Sequence, residues 1–196
     1  SLLRNRIVKR SFDILFSIPA LVVTSPLLLL VSILTKITSH GPVIFKQRRV
    51  GNNNKEFNIY KFRSMVVQER MAADIRWTTE DDPRVTKIGK FIRKTSIDEL
   101  PQFWNVLMGN MSVVGPRPER DHFIEEFKKH IKDYKVRHLV QSGITGWAQV
   151  NGWRGDTSIK ERVEHDIYYL ENWSLLFDIQ IIFKTIFGTK TKKNAY

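Results

Sequence analysis

Residues 14–34 (ILFSIPALVVTSPLLLLVSIL) run without one charged side chain. That length suits a helix across the hydrocarbon core of a bilayer, which takes about 20 apolar residues. A cleaved signal peptide fits less well, because the run is long for such a peptide's apolar region and no A-x-A-like site follows it. Pro26 falls near the middle, preceded by Ser25. A proline inside a helix removes one backbone bond and kinks it, and a serine hydroxyl can cap the freed group. Basic residues flank both ends: Arg4, Arg6, Lys9 and Arg10 before the run, and Lys36, Lys46, Arg48 and Arg49 after it. Basic flanks stay on the cytoplasmic side. A helix broken at Ser25-Pro26, dipping into one leaflet and returning, satisfies both flanks, whereas a straight span leaves one outside. On the residues alone, both topologies stand.

Beyond this segment the pattern shortens. PVIFKQRRV (42–50) and KEFNIYKFRSM (55–65) are apolar-aromatic runs joined by GNNN, which predicts a hairpin. Phe57 and Ile59 share one phase while Tyr60 and Phe62 take the other, so a bulge or an early strand end is expected. A helix is predicted over 66–76, a turn at DDPR (81–84), and a helix over 86–108 interrupted at Pro101. Phe123, Phe127, Ile131 and Tyr134 recur at helical spacing and predict an amphipathic helix over 119–138, its stripe reading as core. The stretch 173–188 (WSLLFDIQIIFKTIFG) is richer in large apolar residues and is followed by Lys190, Lys192 and Lys193, which suits a helix at a membrane interface. There is no internal repeat.

Composition narrows the partners. At 196 residues the chain suits one domain with a real core. It begins with Ser, so a piece of a longer protein or a processed form is expected. A net charge of +12, from 32 Lys and Arg against 20 Asp and Glu, points to an anionic partner: nucleic acid, acidic lipid headgroups or phosphorylated small molecules. The absence of cysteine excludes disulfides, thiolate zinc sites and cysteine nucleophiles. Trp77, Trp104, Trp147 and Trp153 give nucleic acid its aromatic platforms. The basic residues are nevertheless scattered among acids, no nucleic-acid module is present, and the apolar N-terminal segment has no role there, so no nucleic-acid partner is expected.

Candidate chemistry is sparse. His122, His130 and His138 recur at intervals of eight, which is no metal spacing, and there is no HExxH pair. The glycines of GITG (143–146) and GWRG (152–155) make neither nucleotide-binding motif; tight turns and backbone nests for a phosphate both fit. In GPRP (115–118), prolines on both sides hold Arg117 in place, either for a phosphate or for an ion pair with Glu119 or a distant acid. In SIDELPQ (96–102), Asp98 and Glu99 are neighbours that point about 100° apart on a helix, so they cannot share one proton as a facing dyad does. One can attack or deprotonate while the other holds a hard cation such as Mg²⁺. Alternatively Ser96 caps a helix and the acids merely sit in its first turn.

Taken together, DPRVTKIGKFIRKTSIDELPQFWNVLMGNMSVVGPRP (82–118), GPVIFKQRRVG before it, KFRSM at 61–65, GITGWAQVNG (143–152) after it and the Ser-Pro-broken apolar segment closely resemble the bacterial sugar transferase family, the monotopic phosphoglycosyl transferases. The likeness covers essentially the whole chain. It implies an α+β, mostly helical fold with a re-entrant helix hairpin at the N-terminus, amphipathic interfacial helices and a small β-hairpin. Residues 1–40 would form the hairpin and 41–196 a membrane-associated catalytic domain on the cytoplasmic face of a bacterial inner membrane. Anionic lipids would be partners, and a homodimer is compatible with it.

The implied reaction moves a hexose-1-phosphate from a UDP-sugar to a polyprenyl phosphate such as undecaprenyl phosphate, releasing UMP. The family pattern makes Asp98 the nucleophile and Glu99 the ligand of Mg²⁺, and places Lys61, Arg63, Arg93 and Arg117 near the phosphates. It also matches Ser25-Pro26 to the family's helix break, which favours the re-entrant topology. Two departures stand out: Gln141-Ser142 precedes GITG where the family usually has Pro, and GNNNK lacks the Gly often seen before its Lys. The GWRGDT stretch is similar to that of longer members that begin exopolysaccharide or O-antigen units with glucose- or galactose-1-phosphate. The alternative from another class is a catalytically silent membrane-anchored scaffold of the same fold.

Overall fold

The computed structural model describes residues 2–67 and 82–188. From position 68 onward the helix expected over 66–76 lies outside the described residues, as do Trp77 and Lys190, Lys192 and Lys193.

Helix α1 (Leu2–Thr38) takes in the whole apolar segment, and Ser25-Pro26 does not divide it. Pro26 has no N–H for the carbonyl of Val22, four residues back, and Ser25 Oγ donates to that carbonyl at 2.7 Å. The acceptor freed by the proline is thus satisfied within the helix. Among the described residues α1 is the one helix long and apolar enough to cross a membrane. Its polarity is inverted: Asp13, Ser17 and Thr35 are buried with Val31, while Leu15, Val22, Val23, Leu29 and Ile37 are exposed.

Both ends of α1 are bonded to the same body. Lys9 Nζ donates to Asp178 at 2.7 Å and to the Val114 carbonyl at 2.9 Å. Arg10 donates to the carbonyls of Val106 and Leu107 at 2.5 and 2.8 Å. At the far end, Arg63 donates to the carbonyls of His40 and, at 2.8 Å, Ser39.

Strands β1 (Ile44–Val50) and β2 (Glu56–Phe62) form the expected hairpin, antiparallel from Ile44↔Phe62 to Val50↔Glu56 with no bulge. The mixed phase ends the strand early instead, at Phe62, because Arg63 turns to α1. Ile59 and Phe62 are in opposite phases yet both are buried, since Ile59 joins the main core and Phe62 packs with Val31 of α1 and Ile92. The hairpin is covered on both faces, which removes a clean alternation.

The helix expected over 86–108 is two. Helix α2 (Lys87–Lys94) is capped by Thr86, whose side chain accepts from Gly89 N at 2.9 Å. The interruption falls at Ser96, which is left-handed (φ 56), and not at Pro101. A single 3-10 turn, Ile97–Glu99, follows, and Pro101 stands at the start of α3 (Gln102–Leu107), where a missing N–H is no loss. Strand β3 (Ser112–Val114) pairs in parallel with β4 (Gly143–Thr145). A side chain at Gly143 would collide with the backbone of Gly115, so GITG is a strand lying backbone to backbone against GPRP.

Helix α4 (Asp121–His130) is shorter than the helix expected over 119–138. The chain turns through Asp133 (φ 60) into a 3-10 stretch, Tyr134–Leu139. The predicted stripe is core all the same: Ile124 and Tyr134 are buried with Val50 and Val163, and Phe127 and Ile131 pack against them. Helices α5 (Trp147–Val150), α6 (Ile159–Glu171) and α7 (Leu175–Phe187) complete a mostly helical fold with two small sheets. Ser174 caps α7 by accepting from Phe177 N at 3.1 Å. Its Asp178 and Ile181 are buried and its Leu176, Phe183 and Phe187 exposed.

Candidate active site

Asp98 and Glu99 occupy the 3-10 turn between α2 and α3, both buried (8% and 5% exposed). Ser96 does not cap a helix here: its side chain makes no cap bond, and its Oγ accepts from Arg154 Nη1 at 3.3 Å. The left-handed step at Ser96 closes α2 and presents the acids to three other segments.

Each segment contributes a cation to Glu99. From β2, Lys61 Nζ donates to Oε1 at 2.7 Å. From GPRP, Arg117 Nη2 donates to Oε1 at 2.7 Å and Nη1 lies 3.4 Å from Oε2. From the loop after α5, Arg154 Nη2 donates to Oε1 at 3.3 Å. Arg117 Nη1 also donates to Gln149 Oε1 at 2.8 Å, and Gln149 Nε2 is tied to the Ile144 carbonyl at 3.0 Å. Burial alone would raise the Glu99 carboxyl, but Arg117, Lys61 and Arg154 overturn that and hold it well below the usual carboxylate range.

Asp98 goes the opposite way. Burial, and then the charge of Glu99, push its carboxyl up against the pull of Lys61, Arg154 and Arg93. Among the described residues its buried Oδ1 has no hydrogen-bond partner. Burial also pushes Lys61 down to about 8 despite Glu99. A carboxylate raised by burial, next to one that gathers three cations, has the chemistry to act as a nucleophile beside a centre suited to an anion.

Of the four cations expected near phosphates, the structure brings Lys61 and Arg117 onto Glu99. Arg93 sits with Nη1 3.4 Å from Ser64 Oγ, and its charge acts on Asp98. Arg63 is not brought there; it closes the C-terminal end of α1. Arg117 pairs with Glu99 rather than Glu119. Ser25 and Pro26 remain in α1.

Arg154 and Gln149 are the residues that sequence reasoning missed. Gly152 (φ 94) and Gly155 (φ 73) take backbone conformations open to glycine and turn the chain on either side of Trp153-Arg154. The signal was an arginine between two glycines, matching the one between two prolines in GPRP.

Among the described residues no three His, Cys, Asp or Glu side chains come together as a metal cage, and His138 is buried with its Nδ1 3.2 Å from the Gly51 carbonyl. Mg²⁺ does not need such a cage, because it takes one or two carboxylates and fills its shell with phosphate oxygens and water. Glu99 Oε2, the less engaged oxygen, and the unpartnered Asp98 Oδ1 fit that requirement.

Comparison with known proteins identifies the family. A family model described as bacterial sugar transferase matches residues 4–192. The UDP-glucose:undecaprenyl-phosphate glucose-1-phosphate transferase of Escherichia coli (strain K12) is 47% identical over 98% of the chain and 42% of its own length. The UDP-N-acetylgalactosamine-undecaprenyl-phosphate N-acetylgalactosaminephosphotransferase of Aeromonas hydrophila is 49% identical over 91% of the chain and 43% of its length. The exopolysaccharide production protein PSS of Rhizobium leguminosarum bv. phaseoli is 42% identical over 97% of the chain and 98% of its length. The chain thus spans less than half of the first two relatives and nearly all of the third.

Proposed function

The chain belongs to the bacterial sugar transferase family, and we propose that it transfers a hexose-1-phosphate from a UDP-sugar to undecaprenyl phosphate or a similar polyprenyl phosphate, releasing UMP, as the first membrane step of exopolysaccharide or O-antigen assembly. The observation that carries this reading is the division of partners between the two adjacent acids: among the described residues Lys61, Arg117 and Arg154 donate to Glu99, while Oδ1 of Asp98 has no hydrogen-bond partner.

In the first step a carboxylate oxygen of Asp98 attacks the sugar-bearing phosphorus. A bond forms between that oxygen and phosphorus, the bond from phosphorus to the bridging oxygen breaks, and UMP departs with the bridging oxygen and its electron pair. In the second step an oxygen of the polyprenyl phosphate attacks the same phosphorus. The acyl–phosphate bond breaks, Asp98 is restored as a carboxylate, and the sugar leaves on a polyprenyl diphosphate. No bond to the anomeric carbon is broken. Lys61, Arg117 and Arg154 surround the diphosphate position and offset its charge, with Arg93 on the Asp98 side. Mg²⁺, when bound through Glu99 with help from Asp98, supplies charge neutralisation at the diphosphate.

The same proposal holds α1 in the cytoplasmic leaflet as a re-entrant segment. Lys9 and Arg10 at one end and Ser39 and His40 at the other are bonded to one body, which a straight crossing would have to pull apart. The basic flanks and the exposed side chains of α7 favour an anionic lipid surface. Release of UMP from a UDP-sugar, dependent on undecaprenyl phosphate and Mg²⁺, tests the reaction; no release across a panel of UDP-sugars would leave the silent scaffold.

A further inference from the structure

Glu119 stands outside the group of cations on Glu99. It is buried (5% exposed), and its Oε1 accepts from Arg162 Nη1 at 2.6 Å and lies 3.5 Å from Arg137 Nη1. In each of these guanidiniums Nη2 reaches a backbone carbonyl. Arg137 Nη2 donates to the Arg117 carbonyl at 3.0 Å and pairs with Asp166 at 2.8 Å. Arg162 Nη2 donates to the Gly155 carbonyl at 2.8 Å and to Thr157 Oγ1 at 3.3 Å. One carboxylate therefore links two arms. The first ends on Arg117 itself and the second on the residue after Arg154, and these are the two arginines that close on Glu99. The node is also fixed to the hairpin, through Val50 N to the Glu119 carbonyl at 3.1 Å and Arg49 Nη1 to the Pro118 carbonyl at 3.1 Å.

We propose that Glu119, acting through Arg137 and Arg162, is a positioning residue that sets how far apart Arg117 and Arg154 stand around the substrate's diphosphate. The inference rests on the transferase reading for the identity of that diphosphate. Buried ion pairs are a poor source of net stability, because desolvation offsets their attraction, and apolar side chains of similar volume often serve a core as well. What a network of planar forks provides is fixed direction. GPRP and GWRG lie far apart in the chain, and a misplacement of about 1 Å in a catalytic group costs on the order of 10²-fold in rate.

The test is a double-mutant cycle on the full chain in detergent, read by UMP release and, separately, by calorimetric binding of UDP with Mg²⁺. Arg162→Lys keeps a charge on Glu119 but cannot fork to the Gly155 carbonyl. We expect kcat to fall roughly 10- to 100-fold, UDP binding to weaken, and the thermal midpoint to stay close to that of the unmodified chain. In an Arg154→Ala background the same substitution should cost less than about twofold more in either measurement, because the group it positions is gone. Glu119→Gln, run through the same cycle, covers the case in which Arg162→Lys does not fold. Full additivity of the two losses, an unchanged rate and affinity in Arg162→Lys and Glu119→Gln, or no UDP binding by the unmodified chain overturns the proposal. Normal UDP binding with a coupled cycle but no UMP release upholds the positioning and overturns only the reaction assigned to the site.

Discussion

Asp98 and Glu99 share one turn of backbone, and among the described residues Glu99 accepts from Lys61, Arg117 and Arg154 while Oδ1 of Asp98 has no hydrogen-bond partner. That division gives neighbouring carboxyls different electrostatic surroundings at nearly equal burial. Four predictions follow from it and from the seating of α1.

Asp98→Asn should abolish UMP release, by on the order of 10³-fold or more, because the amide keeps the shape and loses the attacking oxygen anion. Stability should not fall. Burial raises Asp98 in the folded state, so ionising it costs folding free energy, and the variant should gain on the unmodified chain as pH rises through the Asp98 value. Thermal melts of both proteins across pH, beside the UMP assay, check this; near-normal turnover removes Asp98 from the mechanism.

Glu99→Gln should behave differently. It leaves Lys61, Arg117 and Arg154 facing a neutral group, and removing one partner of a buried ion pair costs about 3–5 kcal/mol. The thermal midpoint should drop, and activity should fall in a way that added Mg²⁺ partly restores. An unchanged Mg²⁺ dependence would count against Glu99 as ligand.

The pH–rate profile should be bell-shaped. On the acid side the rate rises as Asp98 ionises, at a pH above the ordinary value of 3.8, because burial and Glu99 push the group up. On the alkaline side it falls as Lys61, lowered to about 8 by burial, gives up its proton. Lys61→Arg should move the alkaline limb upward while leaving the acid limb in place. An alkaline limb unmoved by that change assigns it to another group.

Topology can be read from cysteines placed at Asn5 and, separately, at Ser39, since the chain has none of its own. A membrane-impermeant thiol reagent applied to intact cells should label neither, because both ends of α1 are bonded to one body. Labelling of one site and not the other would establish a straight crossing. Replacing Ser25 and Pro26 with Leu restores the backbone bond that Ser25 Oγ now replaces at Val22, and should shift α1 toward spanning with loss of activity.

How far the chain could be read without coordinates depends on the range of the forces involved. Hydrophobic period and turn chemistry are local, so the apolar helix, the hairpin and the capped helix α7 could be seen in short windows. The candidate site was legible as far as rigid local stretches carried it: Asp98, Glu99 and Arg117 each sit in a short, unusual run of residues, and Lys61 came only with the family resemblance. Arg63 was misplaced because two residues along β2 from Lys61 the strand has ended and its side chain turns back to α1. Ser96 looked like a cap because cap preference is a one-residue signal, whereas its left-handed backbone follows from how α2 and α3 must meet.

By itself, then, the sequence determined the membrane-seeking segment, the basic character, the acid pair and the family that they announce, since each is a property of residues close in the chain. Only the tertiary structure decided that Glu99 rather than Asp98 collects the cations, that Arg154 joins Arg117 there, and that both ends of α1 close on one body. Those outcomes depend on which distant backbones are brought within hydrogen-bond reach, about 3 Å, and no spacing along the chain encodes that distance.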